Sequence, residues 1–152
     1  MALSLIFILY VGVGVSAALG SIAISTKRFS AKAEQAFYGL LLAPIAAIYL
    51  AFTAHFADTN AWRLEAIAVA LFTLLGLVGI RLPVLLILGY ALHGAWDLVH
   101  EVFLHEGRSG AGTGTLTEIP LAYGAFCAAY DWWMAGYFYS RRDQWKTAWQ
   151  AR

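Results

Sequence analysis

Five apolar runs, each close to the length a helix needs to cross a bilayer, constrain this chain more than any other feature. They are Leu3 to Ile24, Ala36 to His55, Leu64 to Ile80, Leu82 to Leu104 and Glu118 to Tyr139. A spanning helix takes about 20 mostly apolar residues, because roughly 1.5 Å per residue must cover about 30 Å of hydrocarbon with every backbone polar group satisfied internally. Composition agrees: 12% of the chain is charged, about half the share usual in soluble domains. The expected fold is all-α, a polytopic membrane helix bundle of five transmembrane helices. It forms one integral membrane domain over residues 1–152, with 140–152 as an interfacial tail.

The first run reads as a retained helix rather than a cleaved leader. No basic residue precedes Leu3, and Val11 to Gly20 offers small residues suited to helix packing instead of a processing site. Of the ten Lys and Arg residues, eight fall on one side of the five runs (Lys27, Arg28, Lys32, Arg81, Arg141, Arg142, Lys146 and Arg152), leaving Arg63 and Arg108 on the other. Short cytoplasmic loops retain basic residues, so the N-terminus is expected outside and the C-terminus in the cytoplasm, in a bacterial inner membrane.

Against this background the stretch HGAWDLVHEVFLH, residues 93–105, is an anomaly. At 100° per residue, His93, Asp97 and His100 share one helix face, with Glu101 beside them and Trp96 next to the two histidines. A carboxylate in hydrocarbon costs several kcal/mol, about 3 on insertion scales, so Asp97 is expected to face the bundle interior. The same holds for Asp131 in the last run, within CAAYDWW, where counting from Glu118 puts it about 20 Å below the outer surface. Further polar groups converge on the outer half: His55 ends the second run, Glu65 follows Arg63, Glu118 opens the fifth, and Tyr130 flanks Asp131.

Three chemistries fit such a collection. Imidazole and carboxylate together suit zinc, iron or manganese, since the carboxylates offset the ion's charge; His93, Asp97, His100 and Glu118 are the expected ligands. Without a metal, His93 and Asp131 form an acid–base pair able to move a proton, in an isomerase or a proton-coupled transporter. The third reading is a hydrogen-bond network that only fixes helix packing. Intramembrane ionisable residues default to a functional reading, and a packing network rarely needs five of them in thirteen residues.

The remaining features are structural. Gly12, Gly14 and Gly20 in the first helix and Gly76 and Gly79 in the third are expected at close helix contacts. Pro83 suits the first turn of helix four after a minimal link at Arg81 and Leu82. Cys127 has no intrachain partner and reads as a small core residue, and Glu34 reads as an interfacial charge with no role beyond topology. The glycine-rich loop HEGRSGAGTGTLTE is either a linker or a lid, and the tail, with Trp145 and Trp149 four apart, is expected to lie in the inner interface. A net charge of +1 gives no reason to invoke nucleic acid.

The segments GYALHGAWDLVH and IPLAYGAFCAAYDWWMAGYF resemble a small bacterial family of uncharacterised multi-spanning membrane proteins. In that family a His-x-x-Trp-Asp-x-x-His segment precedes a final helix bearing a cysteine and an aspartate. The resemblance covers residues 89–138 and implies that His93, Trp96, Asp97 and His100 act with Cys127 and Asp131. The leading expectation is a metal-dependent membrane enzyme acting on a hydrophobic small molecule, with His93 and Asp131 in catalytic roles and His55, Glu65, Trp96, Glu101 and Tyr130 around the cavity. The alternative is a non-catalytic subunit or assembly factor of a membrane complex. Expected partners are membrane lipid, a hydrophobic small molecule, and a second copy or a membrane-complex subunit.

Overall fold

The computed structural model describes residues 2–105 and 116–151. Five helices occur among them: α1 Ala2–Arg28, α2 Ala31–His55, α3 Trp62–Gly79, α4 Pro83–His105 and α5 Tyr123–Gln150. The chain is all-α, and α1, α2 and α3 are each long and apolar enough to cross a membrane. Arg108, Arg152 and the reading of the glycine-rich loop as lid or linker lie outside the described residues.

Local chemistry sets most helix ends. Lys27 and Arg28 occupy the last turn of α1, where cations complement the exposed carbonyls. Ser30 caps α2, its Oγ accepting from Ala33 N–H at 3.3 Å. Only Ile80 to Leu82 separate α3 from α4, and Pro83 is the first residue of α4, where its missing N–H costs nothing.

Both ends of α5 differ from the sequence reading. The segment through Glu118 is not helical and α5 starts at Tyr123. Pro120 disfavours helical backbone at Ile119, and Ala122 takes a left-handed φ of 61° before the helix begins. The entering turn is held from α4: Glu101 accepts from Ala122 N–H at 3.1 Å and from Gly124 N–H at 2.9 Å. A carboxylate at a helix N-terminus satisfies orphan donors and meets the positive end of the helix dipole. At the other end the expected interfacial tail is a continuation of α5, which runs to Gln150 with no glycine or proline after Gly136 to stop it.

Glu34 explains why that extension docks instead of lying flat. This residue, read from sequence as a plain interfacial charge, is fully buried. Its carboxylate accepts five hydrogen bonds: from Ser25 at 3.2 Å, Tyr137 at 2.5 Å, Trp145 at 3.0 Å, and Arg141 Nε and Nη2 at 3.2 and 2.8 Å. Trp149 adds a bond to Gln35 at 3.0 Å, and the Arg81 guanidinium stacks 4.0 Å from the Trp149 ring. The start of α2, the end of α1 and the last turns of α5 are thereby pinned together.

Around the bundle the packing order is α1, α5, α4, α3, α2, and the ring is almost open between α1 and α2. Glycines set two of the close crossings. A Cβ on Gly39 of α2 would come within 2.7 Å of the Gly76 carbonyl oxygen on α3, and Gly14 of α1 abuts the backbone of Phe126 in α5. Gly12 and Gly20, expected at contacts as well, face open space. The outer surface is a belt of leucine, isoleucine and valine, including Leu5, Ile8, Ile67 and Leu74, as lipid contact requires.

Candidate metal centre

The polar face of α4 meets α5 at the middle of the bundle. His93 Nδ1 lies 2.7 Å from Asp131 Oδ2 and 3.3 Å from Asp97 Oδ2, and all three residues are buried. Asp131 is eight residues into α5, about 12 Å along it, because the helix starts at Tyr123 and not at Glu118. Small residues permit the approach: a Cβ on Gly94 would come within 2.9 Å of the Trp132 ring, and one on Gly124 would strike the Asp97 carbonyl.

His93, Asp97 and Asp131 each offer a ligand atom within 4.8 Å of the others. With metal–ligand bonds of about 2.0 to 2.2 Å, adjacent ligand atoms stand about 3.0 Å apart in octahedral and 3.4 Å in tetrahedral coordination. The two separations from His93 Nδ1, 2.7 and 3.3 Å, lie within about 0.3 Å of an octahedral edge, and the shorter is also that of the His93–Asp131 hydrogen bond. Two carboxylates also balance the charge of a divalent ion, which hydrocarbon surroundings demand.

Unfilled hydrogen-bonding capacity separates this cluster from the one at Glu34. His93 Nε2, Asp97 Oδ2 and Asp131 Oδ1 are buried without hydrogen-bond partners. Buried polar atoms in native proteins are nearly always paired, so these three call for a ligand, an ion or water, as do five others at Asp58, Glu65, Trp96 and Thr117. Asp97 is oriented by a residue the sequence reading passed over: Tyr49 of α2 donates to Asp97 Oδ1 at 2.5 Å. The Phe72 ring stands edge-on to the His93 imidazole, with centroids 4.8 Å apart.

A largely apolar cavity of about 260 Å³ opens beside the cluster. Ala17 of α1, Ile45 and Ile48 of α2, and Phe126, Cys127 and Asp131 of α5 are among its walls. Tyr130, half-buried, also lines it, its hydroxyl 3.4 Å from Ser21 Oγ.

The profile of a protein family of unknown function, DUF6010, matches residues 9–144. The chain belongs to this family. No curated protein and no solved structure matches it. The match takes in Tyr49, His93, Asp97 and Asp131, so the centre described above lies within the DUF6010 region.

In this DUF6010 member the other sequence-nominated residues are dispersed. His100, expected as a metal ligand, points to a different carboxylate: its Nε2 lies 2.8 Å from Glu65 Oε1, and its Nδ1 lies 3.0 Å from the Trp96 carbonyl. Nδ1–H must donate to the carbonyl, so the second bond carries one proton shared between His100 Nε2 and Glu65. Glu65 Oε1 also accepts from Thr117 N–H at 3.2 Å. The Tyr49 ring covers His100 at 4.3 Å and Trp96 packs against it at 5.2 Å. Glu118, the fourth expected ligand, sits half-buried in the segment before α5 and outside the three-residue group. Glu101 caps α5, and His55 is exposed at the end of α2 against Phe56.

Proposed function

We propose that this protein is a five-span membrane enzyme of the bacterial inner membrane, N-terminus outside, that acts on a hydrophobic small molecule at a single divalent transition metal. His93, Asp97 and Asp131 hold the ion. The observation that carries this reading is the convergence of three buried ligand atoms within 4.8 Å, of which Asp97 Oδ2 has no hydrogen-bond partner. Two carboxylates and one imidazole favour zinc, iron or manganese over softer ions. When bound, the metal supplies Lewis-acid polarisation of a substrate oxygen. The chain's own part is to orient Asp97 through Tyr49, to keep water out with the apolar walls, and to present Asp131 at the cavity.

One observation favours a second reading, metal-free acid–base chemistry: with Nδ1–H donated to Asp131, the His93 Nε2 lone pair is left unengaged, the arrangement of a general base. Substitution separates the two. Under the metal reading His93→Ala, Asp97→Asn and Asp131→Asn each strip a bound transition metal, while Glu65→Gln retains it. Metal retained in all three variants removes the cluster from consideration as its holder.

A further inference from the structure

The cavity at Asp131 has a shape and a chemistry that specify more than hydrophobicity. Its walls are aliphatic on the α1 and α2 side, contributed by Ala17, Ile45 and Ile48, and it lies where those two helices scarcely touch. They are joined through the turn at Phe29 and Ser30 and through Ser25 and Glu34, which bond at the opposite end of α2 from Ile48. Above that junction the two helices leave a seam between them. Among the residues lining the cavity is one carboxylate, Asp131, whose Oδ2 is taken by His93 and whose Oδ1 is buried with no partner.

We propose that this seam admits a membrane-resident long-chain alcohol, its hydroxyl donating to Asp131 Oδ1 and its chain running out between α1 and α2 into lipid. An acceptor-only atom requires a donor, so an alkane leaves it unsatisfied and a carboxylate head group meets it with like charge. The choice of a neutral hydroxyl over an ammonium rests on the metal reading above, in which Asp97 and Asp131 are already balanced by a divalent ion. At about 30 Å³ for each water-sized group, a volume of 260 Å³ takes the hydroxyl and the first several carbons of the chain. The rest of a longer chain occupies the seam.

The test is photo-cross-linking in lipid nanodiscs with a dodecanol analogue carrying a chain diazirine, the labelled residues being mapped by mass spectrometry and metal content measured on the same samples. Labelling is expected to concentrate on Ile45, Ile48 and Phe126. Excess dodecanol is expected to reduce it at least tenfold, and dodecane, dodecanoate and dodecylamine to leave it within twofold. Ile45→Trp and Ala17→Phe fill the cavity from α2 and α1, and neither position belongs to the polar cluster. Either one, if folded, is expected to lower cavity labelling at least tenfold while metal content stays unchanged. Labelling spread over lipid-facing positions such as Leu5 and Ile67, or equal competition by dodecane or dodecylamine, overturns the proposal. Cavity labelling in a metal-free wild type supports alcohol binding and contradicts the metal; a metal-loaded protein without cavity labelling does the reverse.

Discussion

Tyr49 on α2 donates its hydroxyl to Asp97 Oδ1 on α4 over 2.5 Å, leaving Oδ2 turned toward His93. This bond fixes the rotamer of a carboxylate that would otherwise have two equivalent oxygens to offer. Tyr49→Phe removes it while keeping the ring against His100. Partners of metal ligands typically account for about 10–100-fold in affinity. The variant is therefore expected to fold and to release metal to a competing chelator at least tenfold more readily than wild type. Unchanged retention would show that Asp97 needs no orienting bond.

The Glu34 cluster is expected to matter for stability and not for metal. Glu34→Gln replaces an acceptor-only carboxylate with an amide, leaving the buried Trp145 Nε1 without an acceptor. An unpaired buried donor costs about 1–3 kcal/mol, so unfolding in mixed micelles should shift by about 2 kcal/mol. Metal content is expected to stay at the wild-type level; a loss would tie the two ends of the bundle together in a way that the geometry does not.

Glycine substitutions offer a contrast inside one fold. Gly76→Ala drives a methyl group into the Gly39 carbonyl on α2, whereas Gly12→Ala adds one where nothing lies within 4 Å. Overpacking of this kind costs about 1–3 kcal/mol, and alanine is intrinsically better than glycine in a helix by up to about 1 kcal/mol. Thermal unfolding should therefore find Gly76→Ala destabilised and Gly12→Ala neutral or slightly stabilised. Equal effects would mean that α2 and α3 do not cross at these residues.

Glu101 holds the first turn of α5 from α4. Losing a cap of this type costs about 1 kcal/mol locally. In Glu101→Ala, amide hydrogen exchange at residues 122 to 126 is expected to accelerate about fivefold or more, with the Glu34 end unaffected.

The sequence made much of this architecture legible, and its misreadings have identifiable causes. Angular periodicity put His93 and Asp97 on one face, where the structure has them, and the structure brings Asp131 of α5 against His93. The same periodicity grouped His100 with them because it considers angle and not rise. His93 and His100 are seven residues apart, about 10.5 Å along the axis, too far to share one ion, and His100 pairs with Glu65 instead. Tyr49 was invisible because a tyrosine in an apolar run carries no periodic signal of its own; only the crossing of α2 over α4 gives it a partner.

At α5 the difficulty was context. Hydropathy extends the fifth run back to Glu118, but Pro120 and the carboxylate of Glu101 decide where the helix begins. Glu34 was set aside because acidic residues near a span's end are usually solvated. Its partners, Tyr137, Arg141 and Trp145, follow one another at a four-residue spacing. That donor-rich helical face was the one signal that pointed to a buried acceptor.

Elemental analysis of the wild-type protein, purified in detergent and exchanged into metal-free buffer, bears most directly on the proposed centre. About one equivalent of zinc, iron or manganese per chain is expected, retained through the exchange and lost in both Asp97→Asn and Asp131→Asn. A folded wild type that holds no transition metal, even after incubation with each of the three ions and removal of excess, would contradict the metal centre and leave the His93–Asp131 pair as metal-free acid–base chemistry.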